Sequence, residues 1–460
     1  MITKAKIRKV LVVGLGSRTG LAAANFFVNK GVKVFVSDQK KREELLDVID
    51  QLPKGVVVIT GPQTIDILKN NFDLIVLSPG VPKEIPLIKE ALNRQVPVIS
   101  EVELAFHYLL GDIIAITGTD GKTTTTSLTG HLFKKLGFKS LVGGNIGIPL
   151  ISLVDKTDEN SIIVAELSSF QLETIVDFKP KVAVFLNFSP DHLDRYDDLA
   201  GYLAAKERII LNQDENNYFI YNQDDQTVND LKKGLGKPLS FSLQDKKAEA
   251  FYEDGYIWVK KSLADSISDT QKVISKEDLP FLGEHNIQNA MAAILIFISW
   301  CQSKGLEVDL QKIAGAISSF QPLPHRLEKI GNLAGRIFIN DSKATTVNAV
   351  SAALKSFGEP VILLMGGRGK GDDYQRLVSL LKERVKLLVL FGEARNFLAD
   401  LYKGSPVVLA ETLEEATQEA FSKSQPGDVL LLSPACASFD QFSNFEERGD
   451  RFKKIFQELV

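Results

Sequence analysis

Short runs of β-branched and aliphatic residues alternate along the chain with amphipathic stretches of helical length, which confines it to α/β architecture on mainly parallel sheets. "KVLVVG", "KVFVSD", "LIVLSPG" and "PVIS" read as the strands of a first group, with a helix over "GLAAANFFVNKG". "DIIAITG", "IIVAELSS" and "VAVFLNFS" make a second group, to which "AFYEDGYIWVK" adds a β-hairpin, because Asp-Gly between alternating apolar residues signals a tight turn. The third group, "RIFIND", "PVILLMGG", "KLLVLFG" and "DVLLLSPA", follows "FQPLPHRLE", where two prolines break a helical pattern. A length of 460 residues exceeds one ordinary core, so three domains are expected, 1–107, 108–324 and 325–460.

Composition narrows the partners. Net charge is -4, from 54 Lys+Arg against 58 Asp+Glu, so no basic field exists to hold nucleic acid or an anionic membrane, and small molecules are expected instead. Cys301 and Cys436 stand in no metal-ligand spacing, which points to a reducing compartment without disulfides. The start "MITKAKIRKVLVVGLG" mimics a signal peptide, but its apolar run has the length of one strand and breaks at Gly14. "NAMAAILIFISWC" falls short of the roughly 20 residues of a membrane span and is expected as a buried helix.

The stretch "GTDGKTTTT" at 118–126 carries the chemistry. Backbone N–H groups of a glycine turn, followed by a helix N-terminus, cradle phosphate, and a lysine at the lip reaches the terminal phosphates. Gly118, Thr119, Asp120, Gly121 and Lys122 supply these parts, and the Thr123 and Thr124 hydroxyls follow for a Mg2+ ion. The common form of this loop has a further glycine where Ile116 stands, so only the shorter spacing is present. Glu166, ending the strand "IIVAE", is expected beside the loop at the carboxyl edge of the sheet. "NFSPDHLDRY" ends another strand and gathers Asn187, Asp191, His192, Asp194 and Arg195, so two metal positions are plausible.

"GLGSRTG" after the first strand, with Asp38 ending the next, is close to a dinucleotide fingerprint, and from these residues alone NAD binding is an even alternative.

Taken in order, "TGTDGKTT", "ELSSFQLE", "DHLDRY", "GEHNIQNA", "LPHRLE", "NDSKAT" and "SPACASFDQFSNFEERG" resemble the ATP-dependent Mur ligases across essentially the whole chain, and "SSFQLE" and "SPACASFDQF" are most similar to their D-glutamate-adding branch. The resemblance implies a Rossmann-like N-terminal domain, a central P-loop ATPase domain with a mainly parallel sheet, and a Rossmann-like C-terminal domain. It also implies a cytoplasmic step of peptidoglycan synthesis by a monomer, with ATP and Mg2+. The substrates would be UDP-N-acetylmuramoyl-L-alanine and D-glutamate. The sister Mur ligases, folylpolyglutamate synthetases and a nucleotide-driven switch are the alternatives.

By the same resemblance Lys122, Glu166, His192 and Lys206 are catalytic, Lys206 as the lysine that the family converts to a carbamate. Thr123, Glu166, His192 and Lys206 would hold metal. Asn286 and Asn289 would meet adenine, while Arg326 and Asp341 would lie near the phosphates and ribose, so that domains close around the nucleotide. Ser17, Arg18, Thr19, Asp38, Gln39, Lys40, Ser78, Pro79, Gly80 and Asn145, with His192, would take the UDP end of the sugar substrate. Lys343, Thr345, Lys370, Ser438 and Phe445 would take D-glutamate. Three departures from the family pattern stand out: a "GSRTG" turn longer by one residue, Lys40 where arginine is common, and Thr346 where asparagine is. Cys436 has no evident base partner and reads as packing.

Overall fold

A computed structural model describes residues 7–191, 195–233, 236–260 and 270–459. Its chain forms two compact units, Met1–Lys276 with Gln288–Ser318, and Glu277–Ile287 with Ser319–Val460.

The first unit contains two sheets. One holds β1 (Lys9–Val13), β2 (Lys33–Asp38), β3 (Val57–Thr60), β4 (Leu74–Leu77) and β5 (Val98–Ser100), all parallel in the order β3-β2-β1-β4-β5. Strands covered on both faces read as continuous apolar runs, and Val10 to Val13 of "KVLVV" are buried accordingly. The order reverses at β1, whose neighbours β2 and β4 start opposite halves of the sheet, and a crevice opens there beyond the strand ends.

The second sheet holds β6 (Asp112–Thr117), β7 (Ser140–Gly144), β8 (Ile162–Glu166), β9 (Val182–Phe185), β10 (Tyr218–Asn222), β11 (Lys237–Ser242), β12 (Ala250–Glu253), β13 (Tyr256–Lys260) and β14 (Thr270–Ser275). Its order is β14-β13-β12-β11-β10-β9-β6-β8-β7, parallel from β7 to β12 and antiparallel beyond. The expected hairpin is β12–β13, turning on Asp254 and Gly255 with φ of 48° and 79°. One apolar core runs beneath both sheets, from Val10 and Val12 to Ile163 and Phe185.

The second unit holds β15 (Glu328–Leu333), β16 (Arg336–Asn340), β17 (Val361–Gly366), β18 (Val385–Phe391), β19 (Val407–Leu409) and β20 (Val429–Leu432). They run in the order β15-β16-β20-β17-β18-β19, parallel except for β15. Apolar clusters cover both faces. "NAMAAILIFISWC" lies in the helix Glu284–Ser303, buried along that stretch, and no helix among the described residues is long and apolar enough to cross a membrane.

Candidate functional site

In the second sheet β6 lies between β8 and β9, with Ile116 in register with Glu166. Ile116 belongs to the strand, and the turn runs from Gly118 to Gly121 before the helix Lys122–Lys135. Gly118 (φ 152°) and Gly121 (φ 78°) both adopt backbone that disfavours a side chain. A Cβ on Gly121 would also stand 2.4 Å from Asn289 Oδ1. The turn is clamped from β9, since Asn187 Oδ1 accepts from Thr119 N (3.1 Å) and Asp120 N (2.8 Å) and its Nδ2 donates to Asp120 O (3.2 Å). Lys122 Nζ folds back to donate to the Gly118 (3.0 Å) and Thr119 (2.6 Å) carbonyl oxygens. Thr123 and Thr124 sit partly buried in the first helical turn.

Lys206 reaches the same turn from the helix Leu199–Glu207, donating to Gly118 O at 2.7 Å with its Nζ 4.7 Å from the Tyr202 ring centroid. Its side chain is fully buried. Burial, reinforced by the Lys122 charge, pulls its ammonium well below the ordinary lysine range and favours the neutral amine. Glu166 is 2% exposed. Asn145 Nδ2 donates to its Oε1 at 2.9 Å, while Oε2 is buried with no hydrogen-bond partner. A buried carboxylate oxygen left open beside two lysines and a phosphate-type turn fits a divalent cation better than it fits a packed core. His192 and Asp194, the other expected contributors, lie outside the described residues.

A cavity of about 560 Å3 opens at the switch point of the first sheet. Ser17, Arg18 and Thr19 line it after β1, Asp38, Gln39 and Lys40 after β2, Ser78, Pro79 and Gly80 after β4, and Asn145 after β7. All the described residues expected at the UDP end therefore meet at one cavity. The Asp38 carboxylate accepts from Leu15 N (2.7 Å) and Lys40 N (2.9 Å), one bond to each oxygen, and so ties the turn after β1 to the turn after β2. Gln63 and Gln171 also line the cavity; Gln171 belongs to the quoted "SSFQLE" stretch, whereas nothing in the sequence setting of Gln63 singles it out.

In the second unit the loops after β16, β20 and β17 carry "DSKATT", "SPACAS" and "GGRGK". Lys343 Nζ lies 3.9 Å from the Phe445 ring centroid, Lys370 Nζ donates to Thr345 Oγ1 at 2.9 Å, and Ser438 is buried. Sequence reasoning missed Arg448. Fully buried, it donates to Ser342 Oγ (2.9 Å), Ser342 O (2.8 Å) and Cys436 O (3.2 Å), tying the first two loops together. Burial also raises the Cys436 thiol, in keeping with a packing role.

Asp341 accepts from Ser433 Oγ (2.9 Å) and Leu327 N (3.1 Å), and burial pushes its carboxyl up to about 7 against a smaller opposing pull from Arg326. Asn289 Oδ1 accepts from Thr125 Oγ1 at 3.0 Å behind the phosphate turn, and Asn286 Nδ2 donates to Leu282 O at 2.6 Å.

Three family models match in succession along the chain. Residues 8–100 match the Mur ligase MurD-like N-terminal domain, 116–297 the Mur ligase middle domain and 325–436 the Mur ligase glutamate ligase domain. The UDP-N-acetylmuramoylalanine--D-glutamate ligase of Koribacter versatilis is 42% identical over 456 residues, covering 98% of each chain. That of Pelotomaculum thermopropionicum is 38% identical over 457 residues, again covering 98% of each. Among solved structures, the UDP-N-acetylmuramate-alanine ligase of Thermotoga maritima shares the fold, with a TM-score of 0.59 and 21% identity over 98% of this chain and 100% of its own.

Proposed function

Since the chain belongs to the Mur ligase family, we propose that it is the ATP-dependent ligase that joins UDP-N-acetylmuramoyl-L-alanine to D-glutamate in peptidoglycan synthesis. An oxygen of the alanyl carboxylate attacks the γ-phosphorus of ATP, the phosphoryl group passes to it as ADP leaves, and the D-glutamate amine then attacks the resulting acyl phosphate with phosphate as leaving group. The carboxylate needs this activation because its charge repels an amine and its oxygen leaves poorly. The observation that carries the reading is the meeting, at one sheet edge, of a glycine turn, Lys122, Lys206 and a buried carboxylate with an open oxygen.

Each group has work in this reaction. The N–H groups of the turn Gly118–Gly121 hold the triphosphate, and Lys122 exchanges the carbonyls of Gly118 and Thr119 for the phosphoryl oxygens. Lys206, whose buried ammonium gives up its proton more readily than an ordinary lysine does, can as the amine attack CO2, releasing one proton and leaving an anionic carbamate. Thr123, Glu166, His192 and that carbamate would hold Mg2+, which supplies positive charge against the charge developing on the phosphoryl group. The cavity at β1 takes the UDP end, with Asn145 between it and Glu166. Asn286, Asn289, Arg326 and Asp341 serve the nucleotide. Lys343, Thr345, Lys370, Ser438 and Phe445 serve D-glutamate, whose two carboxylates call for cations and hydroxyls. We assign the domains to 1–107, 108–324 and 325–460, and the site of action to the cytoplasm.

Phosphate release is the test. It should require UDP-N-acetylmuramoyl-L-alanine and D-glutamate together and match new amide one to one; steady ATP turnover with neither present would replace this reading with a motor or switch.

A further inference from the structure

Arg18 lines the cavity, and its guanidinium also bonds to protein. It donates to the carbonyl oxygens of Gly147 (2.9 Å), Gly144 (3.3 Å) and Asn145 (3.3 Å from Nη1, 3.4 Å from Nη2), three groups of the loop that follows β7. The far end of that loop is fixed by the buried Glu101, whose Oε1 accepts from Ile151 N at 2.6 Å. Between these two grips stands Asn145. Its backbone N donates to Glu166 O at 2.8 Å and its Nδ2 to Glu166 Oε1 at 2.9 Å, which leaves Oε2 as the open oxygen. A continuous chain of hydrogen bonds thus runs from the lip of the cavity to the carboxylate beside the phosphate turn.

We propose that Arg18 is a positioning residue that couples occupancy of the cavity by a nucleoside diphosphate to the orientation of Glu166, acting through the Gly144–Gly147 backbone and Asn145. The inference rests on the functional reading above, which gives Glu166 a cation and the cavity a nucleotide-sugar. The physical basis is a change of surroundings. Arg18 is exposed, so water competes for its hydrogen bonds to the loop. A diphosphate seated among the residues that line the cavity displaces that water and adds a counter-charge, and charge-assisted bonds strengthen as water leaves. Only a planar, five-donor guanidinium can hold three carbonyls and still offer N–H to an anion; an ammonium keeps the charge and loses the fork. The loop then stiffens, and Asn145 with it.

The test uses the full chain loaded with ADP, Mn2+ as the cation probe followed by electron paramagnetic resonance, and UDP as the cavity probe followed by calorimetry. In the unsubstituted protein, saturating UDP should tighten Mn2+ binding by about fivefold or more, the lower range of ordinary coupling between sites. In Arg18→Met the gain should vanish even at UDP concentrations that saturate the variant. Arg18→Lys should recover UDP affinity but not the gain, and Asn145→Ala should lose the gain with Arg18 intact. A thermal midpoint near that of the unsubstituted chain establishes that each variant is folded, and Arg18→Lys serves if Arg18→Met is not. An unchanged gain in Arg18→Met, Arg18→Lys or Asn145→Ala overturns the coupling and leaves Arg18 a simple anion contact. Absence of the gain in the unsubstituted protein, with UDP and Mn2+-ADP both bound, overturns it as well. Failure to bind UDP at all is a different result, and would overturn the functional reading along with it.

Discussion

Replacing Gly121 by alanine tests the phosphate turn through a cost that follows from geometry. At φ 78° an L side chain costs about 1–2 kcal/mol relative to glycine. The added Cβ would meet Asn289 Oδ1 at 2.4 Å, so the Asn289 side chain must move and give up its bond from Thr125 Oγ1, a further ~0.5–1.5 kcal/mol. Both costs fall on the segment whose N–H groups must point at phosphate. If about 2 kcal/mol of this must be met each time nucleotide binds, affinity falls roughly 30-fold. The comparison is Gly137→Ala, just past the far end of the same helix, where φ is 91° but no atom lies within 4 Å of the new Cβ. Titration with ADP, alongside thermal unfolding, should show affinity lost in Gly121→Ala and kept in Gly137→Ala, with both proteins somewhat less stable. ADP binding within about twofold of the parent for Gly121→Ala, or an equal loss in Gly137→Ala, would refute the reasoning.

Asp341 holds its proton up to about pH 7 in the folded state, whereas the unfolded group releases it near 3.8. The folded state therefore binds the extra proton between those values, and the contribution of Asp341 to stability should fall as pH rises from about 4 to about 7, then level off. Asp341→Asn should flatten that slope in urea unfolding of the full chain, and an unchanged slope would count against the assignment. Protein stripped of CO2 should lose activity and regain it with bicarbonate, together with a mass gain of one CO2 that Lys206→Met cannot show. Lys343→Met and Lys370→Met should each raise KM for D-glutamate by roughly 10- to 100-fold, the worth of one charged hydrogen bond, with KM for ATP unchanged.

Much of this was open to sequence reading because parallel strands buried on both faces are uninterrupted apolar runs. "KVLVV" and "IIVAE" mark their own ends, and in a parallel sheet those ends gather ligands, so Glu166 could be set beside the Gly118 turn before any coordinate was known. β7, "SLVGG", was not singled out, because it is short and ends in two glycines that read as a turn. Arg448 was hidden for another reason. An arginine in the strongly amphipathic helix Phe445–Leu459 looks solvated, and only the approach of the Ser342 and Cys436 backbones, distant in sequence, reveals it as a buried strut. The role of Arg18 was equally out of reach, since its partners lie more than 120 positions away and turn outward only in the folded loop.

The most direct measurement follows one oxygen atom. If the carboxylate of UDP-N-acetylmuramoyl-L-alanine is labelled with 18O and the reaction is run with ATP and D-glutamate, one labelled oxygen should leave in each phosphate released, because the acyl–oxygen bond breaks when the amine attacks. Unlabelled phosphate alongside new amide would mean that the carboxylate was never phosphorylated.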